Sequence, residues 1–171
     1  IKESSYRIAA ALKNNGYSLP VKKITINMAP ADLRKEGSAY DLTLAIGILI
    51  ASGQIKGDEI DKYVIMGELS LDGSLQPIRG ALPIAIKAKE EGFKGFFLPI
   101  QNVKEAAIVA GLDVYGVENV LQVIDFFVHL IVLVRIQDYR LPFLVTHRNH
   151  VIQSFFLMFF DQQYHLVVPL T

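Results

Sequence analysis

The segment from Tyr40 to Ser52 constrains the fold more than any other part of the sequence. Nearly all of its residues are apolar, and no charged residue follows Asp41 within it. A helix that is apolar on all faces is buried. Gly47 lets such a helix pack closely against its neighbours, and Gly53 is a typical residue for a helix end. The segment therefore predicts a buried helix packed against a β-sheet.

Helix and strand patterns alternate around this segment. Asp72 and Gly73, between two apolar runs, are a strong signal for a β-hairpin. Asn102 is expected to cap the helix that follows it. The remaining elements follow from apolar periodicity: a helix ending at Asn14, strands over 22–28, 63–69, 74–78, 95–99 and 112–115, and helices over 81–91, 102–110 and 117–127. This alternation predicts an α/β domain.

The composition changes abruptly near Phe127. All 12 glycines and every alanine, lysine and glutamate lie within residues 1–127, whereas residues 128–171 contain all four histidines. We therefore predict a folded domain over 1–127 and an atypical apolar tail over 128–171 that is not part of it, such as a frame-shifted or read-through translation. Charged residues interrupt every apolar run of the tail, so no membrane span is predicted. His147 and His150 are an isolated pair without the spacing of a metal motif.

Charge, cysteine content and motifs exclude several classes of function. Lysine plus arginine and aspartate plus glutamate both number 17, so no overall field attracts nucleic acid or an anionic membrane. The absence of cysteine excludes disulfides, thiolate catalysis and sulfur-ligated zinc, and it suits a cytoplasmic location. No Gly-x-x-x-x-Gly-Lys-Ser/Thr motif occurs, so we do not expect the chain alone to hydrolyse ATP. Because it does not begin with Met, we expect it to start inside a larger protein.

Five blocks of sequence carry a resemblance to a known family. They are Ala11–Asn14, Asn27–Asp32, Lys35–Leu42, Gly67–Gly73 and Pro77–Pro83. In this order they resemble the N-terminal domain of the YifB/ComM family of magnesium-chelatase-like AAA+ ATPases, which is itself similar to the Lon proteolytic domain. The resemblance covers residues 1–127. It implies a Lon-protease-like (ribosomal-protein-like) two-layer α/β fold with a mixed sheet, whose N-terminal strands are missing from this sequence.

The resemblance also implies partners and cofactors. The family domain precedes an ATPase module that uses ATP and Mg²⁺, so the expected partners are that AAA+ module and further copies in a ring. ComM-type members are linked to DNA branch migration during transformation, which implies DNA as a partner of the parent protein. No cofactor, metal or membrane partner is expected for this chain. Its expected role is non-catalytic, in assembly or substrate positioning.

The resemblance further locates the positions of a Ser-Lys dyad. Lon-type peptidases use a serine nucleophile and a neutral lysine as its base. The nucleophile would follow the turn Lys35–Ser38 and falls on Ala39, and the base falls on Leu82 after Gly80. Neither side chain can transfer a proton. No catalytic residue is therefore expected.

Ser38 lies one residue before the expected nucleophile position. Its main interpretation is an N-cap of the apolar helix, with Asp41 placed favourably for the helix dipole. The alternative is a serine peptidase in which Ser38 uses a lysine such as Lys35 or Lys87. A shift of one residue at a helix start rotates a side chain by about 100°, which argues against this alternative.

Two further groups of charged residues have a structural and a functional interpretation. The carboxylates are interpreted as solvated turn residues, because their spacing does not converge on a cation; they are Asp32, Asp41, Glu68 and Asp72. The basic residues define a third hypothesis, a DNA-binding module, but a solvated face is favoured. They are Lys22, Lys23, Arg34, Lys35 and Arg79.

Overall fold

The computed structural model describes residues 2–27 and 37–129. The predictions for Asp32, Arg34 and Lys35 lie outside the described residues. The same holds for the end of the predicted strand at Met28 and for the tail from residue 130 onward.

Within the described residues the chain forms five α-helices and five β-strands. The helices are α1 (Lys2–Asn14), α2 (Asp41–Ala51), α3 (Ala81–Glu90), α4 (Val103–Ala106) and α5 (Val120–His129). The strands are β1 (Tyr63–Ile65), β2 (Glu68–Leu69), β3 (Leu75–Gln76), β4 (Gly95–Pro99) and β5 (Asp113–Val117). Three short 3₁₀ turns precede α2, β1 and α4, at Ser38–Tyr40, Ile60–Lys62 and Ile100–Asn102.

The strands form two small sheets. Strands β1, β4 and β5 are parallel in the order β1-β4-β5, with Gly95 of β4 paired to Tyr63 and to Asp113. Strands β2 and β3 form the antiparallel hairpin predicted at Asp72 and Gly73. The predicted α/β class is confirmed, and the described parallel and antiparallel pairs lie in separate sheets.

The predicted strand 63–69 divides at Gly67. The N–H of Met66 still donates to the carbonyl of Phe97 in β4 at 2.9 Å. A Cβ on Gly67 would lie 2.9 Å from the side chain of Leu75, so Leu75 would have to shift to admit a larger residue where the chain approaches the hairpin. The chain therefore leaves the parallel sheet at Gly67 and enters the hairpin.

Helices cover both faces of the parallel sheet, as is usual for parallel strands. Strand β4 is buried along its whole length and sends alternate side chains to opposite faces. Phe97 joins the first core, which α1, α2 and α5 build with residues such as Leu12, Ile46 and Ile124. Phe96 and Leu98 join the second core, which α3 and α4 build with residues such as Ala85 and Ala106. Each fully buried phenylalanine contributes about 1.5–3 kcal/mol of transfer free energy.

The predictions of a strand over 22–28 and of a cap by Asn102 are wrong. Residues 22–27 form no strand, and within the described residues the segment makes no backbone–backbone hydrogen bond. Its alternating pattern has no neighbouring strand there to pair with. Asn102 does not cap α4 through its side chain, because its amide instead bonds both the N–H and the carbonyl of Ile78, at 2.9 and 2.8 Å.

Candidate functional site

The two positions expected for a Ser-Lys dyad lie at the starts of α2 and α3. Ala39 is in the 3₁₀ turn before α2, and its carbonyl accepts a hydrogen bond from the N–H of Gly67 at 2.8 Å. Leu82 is the second residue of α3, and its N–H donates to Glu105 at 3.0 Å. Ala39 packs against the second core, which also contains Ala81, the neighbour of Leu82. The fold therefore places both helix starts around one core.

Ser38 has a different partner from the one predicted. Its hydroxyl donates a hydrogen bond to the carboxylate of Glu68 on β2, and no side-chain cap bond is formed at the 3₁₀ turn or at α2 within the described chain. The N-cap interpretation of Ser38 is therefore wrong. The bond to the charged carboxylate holds the side chain of Ser38 toward β2, and no amide at the helix start is bonded to it.

The contact of Ser38 with Glu68 differs from a Ser-Lys dyad. In such a dyad a neutral lysine takes the proton of the serine hydroxyl. A carboxylate is a much weaker base than a neutral lysine. The bond therefore orients the hydroxyl of Ser38 and ties the 3₁₀ turn to the hairpin.

Lys87, the described lysine of the peptidase alternative, is engaged in ion pairs on the surface. Its ammonium lies 3.6 Å from Glu90, the last residue of α3, and 2.7 Å from Glu91, the residue that follows. The hydrogen bond to Glu91 and the charges of both glutamates raise the pKa of Lys87. A catalytic lysine needs a lowered pKa, so that it is neutral near pH 7. The environment of Lys87 acts in the opposite direction.

Beside Ala39, five residues form what we call the polar cluster: Ser4, Arg7, Ser38, Asp41 and Glu68. Asp41 is fully buried and accepts hydrogen bonds from Arg7 Nε at 2.6 Å, from Arg7 Nη2 at 3.3 Å and from the hydroxyl of Ser4. The bond to Asp41 raises the pKa of Arg7, and the charge of Glu68 adds to this effect. The cluster therefore joins α1, α2 and β2.

The carboxylates have three different environments. The prediction that Asp41 is a solvated turn residue is wrong, because its side chain is buried against Arg7. Glu68 is half-buried and bonded to Ser38. Asp72 is exposed in the hairpin turn as predicted, and hydrogen bonds from Ser74 lower its pKa. Across residues 2–27 and 37–129, no three acidic or histidine side chains come together in a way that could hold a metal ion.

A groove with a volume of about 700 Å³ lies between α2 and residues 20–26. We call it the outer groove. One side of the groove is formed by Thr43, Leu44, Gly47, Ile48 and Ala51 of α2, and the other side, which we call its wall, is formed by residues 20–26. Ile24 and Ile26 line this wall and are 39% and 43% exposed.

The described basic residues of the DNA hypothesis lie in two places. Lys22 and Lys23 are exposed on the wall of the outer groove. Arg79 is exposed in the loop before α3. None of the helices in the described ranges is long and apolar enough to cross a membrane.

The chain is similar to the members of one family and, more distantly, to a protease. The sequence matches the family described as Subunit ChlI of Mg-chelatase over residues 1–102. It is 38% identical to the competence protein ComM of Haemophilus influenzae over 126 residues, which are 74% of this chain and 25% of ComM. It is 43% identical to the uncharacterized protein YifB of Escherichia coli over 111 residues, which are 65% of this chain and 22% of YifB.

The more distant relative is Lon protease 2 of Bacillus subtilis, at 30% identity over 127 residues, 72% of this chain and 22% of that protein. The chain spans about a quarter of the length of the curated relatives it matches. The family match covers more than half of the chain. The chain therefore belongs to the magnesium-chelatase-like family that includes ComM and YifB.

Proposed function

We propose that this chain is a non-catalytic, Lon-like module of a magnesium-chelatase-like AAA+ ATPase. The observation that carries the proposal is the pair of side chains at the expected dyad positions, a methyl group at Ala39 and an isobutyl group at Leu82. The contacts of the neighbouring polar groups support it, because Ser38 is bonded to Glu68 and Lys87 is held by Glu91.

The proposed role is assembly of the parent protein or positioning of its substrate. The partners would be the AAA+ module of the parent and its copies in a ring, with ATP and Mg²⁺ bound by that module and not by this chain. The name of ComM, a competence protein, supports DNA processing in the cytoplasm as the setting. The Lon-like fold would serve here as a rigid scaffold, since its two cores fix the starts of α2 and α3 relative to one another.

A serine-reactive phosphonate probe tests the absence of peptidase chemistry. The whole chain and its Ser38→Ala variant are treated in parallel, with Lon protease 2 of Bacillus subtilis as the positive control. We expect equal, background labelling of the chain and the variant, because no described lysine or histidine contacts Ser38 and its hydrogen-bond partner Glu68 is only a weak base. Labelling of the chain that is lost in Ser38→Ala would overturn the proposal and favour the peptidase.

A DNA-binding module is the second candidate. One observation favours it, since Lys22 and Lys23 are exposed and form no ion pair with another described residue. Binding of the whole chain to single-stranded and branched DNA should then weaken steeply with salt, and the Lys22→Ala/Lys23→Ala variant should reduce the salt slope. Lack of binding at low salt would eliminate this candidate.

A further inference from the structure

One side-chain amide joins the end of α1 to the β2–β3 hairpin. Asn15, the residue that follows α1, donates a hydrogen bond from Nδ2 to the carbonyl of Ala11 at 2.7 Å. The same nitrogen donates to the carbonyl of Asp72 in the hairpin turn at 2.9 Å. A Cβ on Gly73 would clash with this nitrogen, so the turn lies directly against the amide. We call the two hydrogen bonds of Asn15 Nδ2 the α1–hairpin contact.

The residue after Asn15 is Gly16, and an Asn-Gly pair is open to deamidation. The backbone nitrogen of the glycine attacks the side-chain carbonyl carbon of the asparagine, since no Cβ obstructs its approach. The proton of that nitrogen and the amino group of the amide leave together as ammonia, and a cyclic succinimide remains. Water then opens the ring to aspartate or isoaspartate. Asn15 is the only asparagine in the sequence that a glycine follows.

The folded structure holds both reacting nitrogens away from this reaction. Helix α1 ends in a Schellman motif, in which the N–H of Gly16 donates to the carbonyl of Lys13 at 3.2 Å. The N–H of Tyr17 completes the motif by donating to the carbonyl of Leu12 at 2.9 Å. The nitrogen of Gly16 must leave this motif before it can attack, and the leaving nitrogen of Asn15 is held by the α1–hairpin contact. Succinimide formation therefore requires the end of α1 to separate from the hairpin.

We propose that Asn15 is a deamidation site that the hairpin protects, and that its modification prevents the α1–hairpin contact from forming again. The product has a carboxylate where the amide was. A carboxylate has no N–H to donate, so its oxygens would meet the carbonyls of Ala11 and Asp72, which are also acceptors. Repulsion and the loss of partners for these carbonyls oppose closure. Isoaspartate in addition lengthens the backbone by a methylene and disrupts the Schellman motif.

The effect is limited to the side of the hairpin that faces α1. On the other side, the N–H of Leu75 donates to the carbonyl of Glu118 at 2.8 Å. The N–H of Val120 donates to the carbonyl of Gly73 at 2.9 Å. These bonds do not involve Asn15, and they continue to hold the hairpin to the start of α5. Deamidation should therefore release the turn from α1 and leave the domain folded.

Mass spectrometry tests the site and its protection. The whole chain is incubated in mildly alkaline buffer with and without urea, and the tryptic peptide of residues 14–22 is followed by fragmentation. In urea, Asn15 should deamidate well before Asn14, which precedes a residue with a Cβ. In the folded chain the rate at Asn15 should be at least about tenfold lower, because the α1–hairpin contact opens only transiently.

Gly16→Ala is the control for the chemistry. It is compared with the unchanged chain in urea, where the backbone conformation of the folded state has no influence, and its Cβ should slow deamidation at Asn15. Equal rates at Asn15 with and without urea would overturn the proposed protection. Absence of deamidation at Asn15 in urea, or equal rates in Gly16→Ala and the unchanged chain, would overturn the proposed site.

Hydrogen exchange tests the consequence for the hairpin. Asn15→Asp carries the side chain of the product, and circular dichroism checks that it is folded. Exchange of the Gly73 N–H, which donates to the carbonyl of Ser70 at 3.0 Å in the turn, should become about tenfold faster. Asn14→Asp makes the same change in charge at an exposed neighbour, whose amide bonds only the carbonyl of Leu71, and should have a smaller effect. Equal exchange in the two variants, or unchanged exchange in Asn15→Asp, would overturn the proposal.

Discussion

Helices α2 and α3 begin next to the two positions expected for a Ser-Lys dyad, but they are anchored by different chemistry. The start of α2 is held by the buried ion pair between Asp41 and Arg7. The start of α3 is held by hydrogen bonds without an ion pair. The neutral amide of Asn102 bonds the backbone of Ile78, and the carboxylate of Glu105 accepts the N–H of Leu82.

The difference implies that the two helix starts lose different amounts of stability when a partner is removed. A buried carboxylate depends entirely on its partner, because an unpaired charge in the interior is very unfavourable. A neutral amide that loses its partners leaves only unsatisfied dipoles, whose cost is smaller. The start of α2 should therefore tolerate substitution less well than the start of α3.

The largest expected effect is at Asp41. Arg7→Ala removes the guanidinium and leaves the carboxylate of Asp41 buried without its cation, which should lower the free energy of unfolding by about 3–5 kcal/mol. Urea denaturation followed by circular dichroism measures this. Lys13→Ala is the control, since it removes a charge from an exposed position on the same helix.

Replacing both partners sharpens the test. Arg7→Met combined with Asp41→Met should recover most of the lost stability, because a buried ion pair and an apolar pair of similar size are often equivalent. If the double variant is as unstable as Arg7→Ala, the loss comes from altered packing around α1 and not from the unpaired charge.

The next effect is at Asn102. Asn102→Ala leaves the buried N–H and carbonyl of Ile78 without their partners, and we expect a loss of about 2 kcal/mol. Gln101→Ala, at the exposed neighbouring position, should change the free energy of unfolding very little. Equal effects of the two substitutions would show that Asn102 does not anchor α3.

Much of the fold could be predicted because its signals are local. The hairpin at Asp72 and Gly73 and the strand from Gly95 to Pro99 agree with the structure, since turn residues and a short apolar run between glycine and proline specify them without reference to distant residues. The prediction of a strand over 22–28 was wrong for residues 22–27, because a strand also needs a neighbouring strand to pair with. Nothing in the sequence of that segment states whether a partner is present.

The polar cluster was not predicted from the sequence, because its members are far apart along the chain. Asp41 and Arg7 are separated by 34 positions, and periodicity within either helix does not join them. Two signals were nevertheless available. A carboxylate at the start of an otherwise apolar helix rarely stays buried without a partner, and Ser4 and Arg7 share a helix face with the core residues Ile8 and Ala11.

A smaller effect is expected at Glu105, whose carboxylate accepts the N–H of Leu82 in the first turn of α3. Glu105→Ala removes this acceptor and should cost about 1 kcal/mol, the usual value for the loss of a helix cap. Glu105→Gln keeps an oxygen in place and should retain most of the stability. If Glu105→Gln is as destabilised as Glu105→Ala, the negative charge matters more than the hydrogen bond.

The smallest effect is expected at the exposed pair of Lys87 and Glu91, which provides a surface reference for the buried pair at α2. The hydrogen bond from Lys87 lowers the pKa of Glu91. Lys87→Ala should therefore raise that pKa toward its ordinary value, which a carboxyl NMR titration measures.

Because the folded pKa of Glu91 is the lower one, the contribution of the pair to stability is present above the unfolded pKa and is lost as the pH falls through the folded pKa. Both side chains are largely exposed, so solvent screens the pair and no measurable change in unfolding is expected at neutral pH. A clear loss of stability of Lys87→Ala at neutral pH would mean that solvent exposure does not explain the different contributions of the two ion pairs.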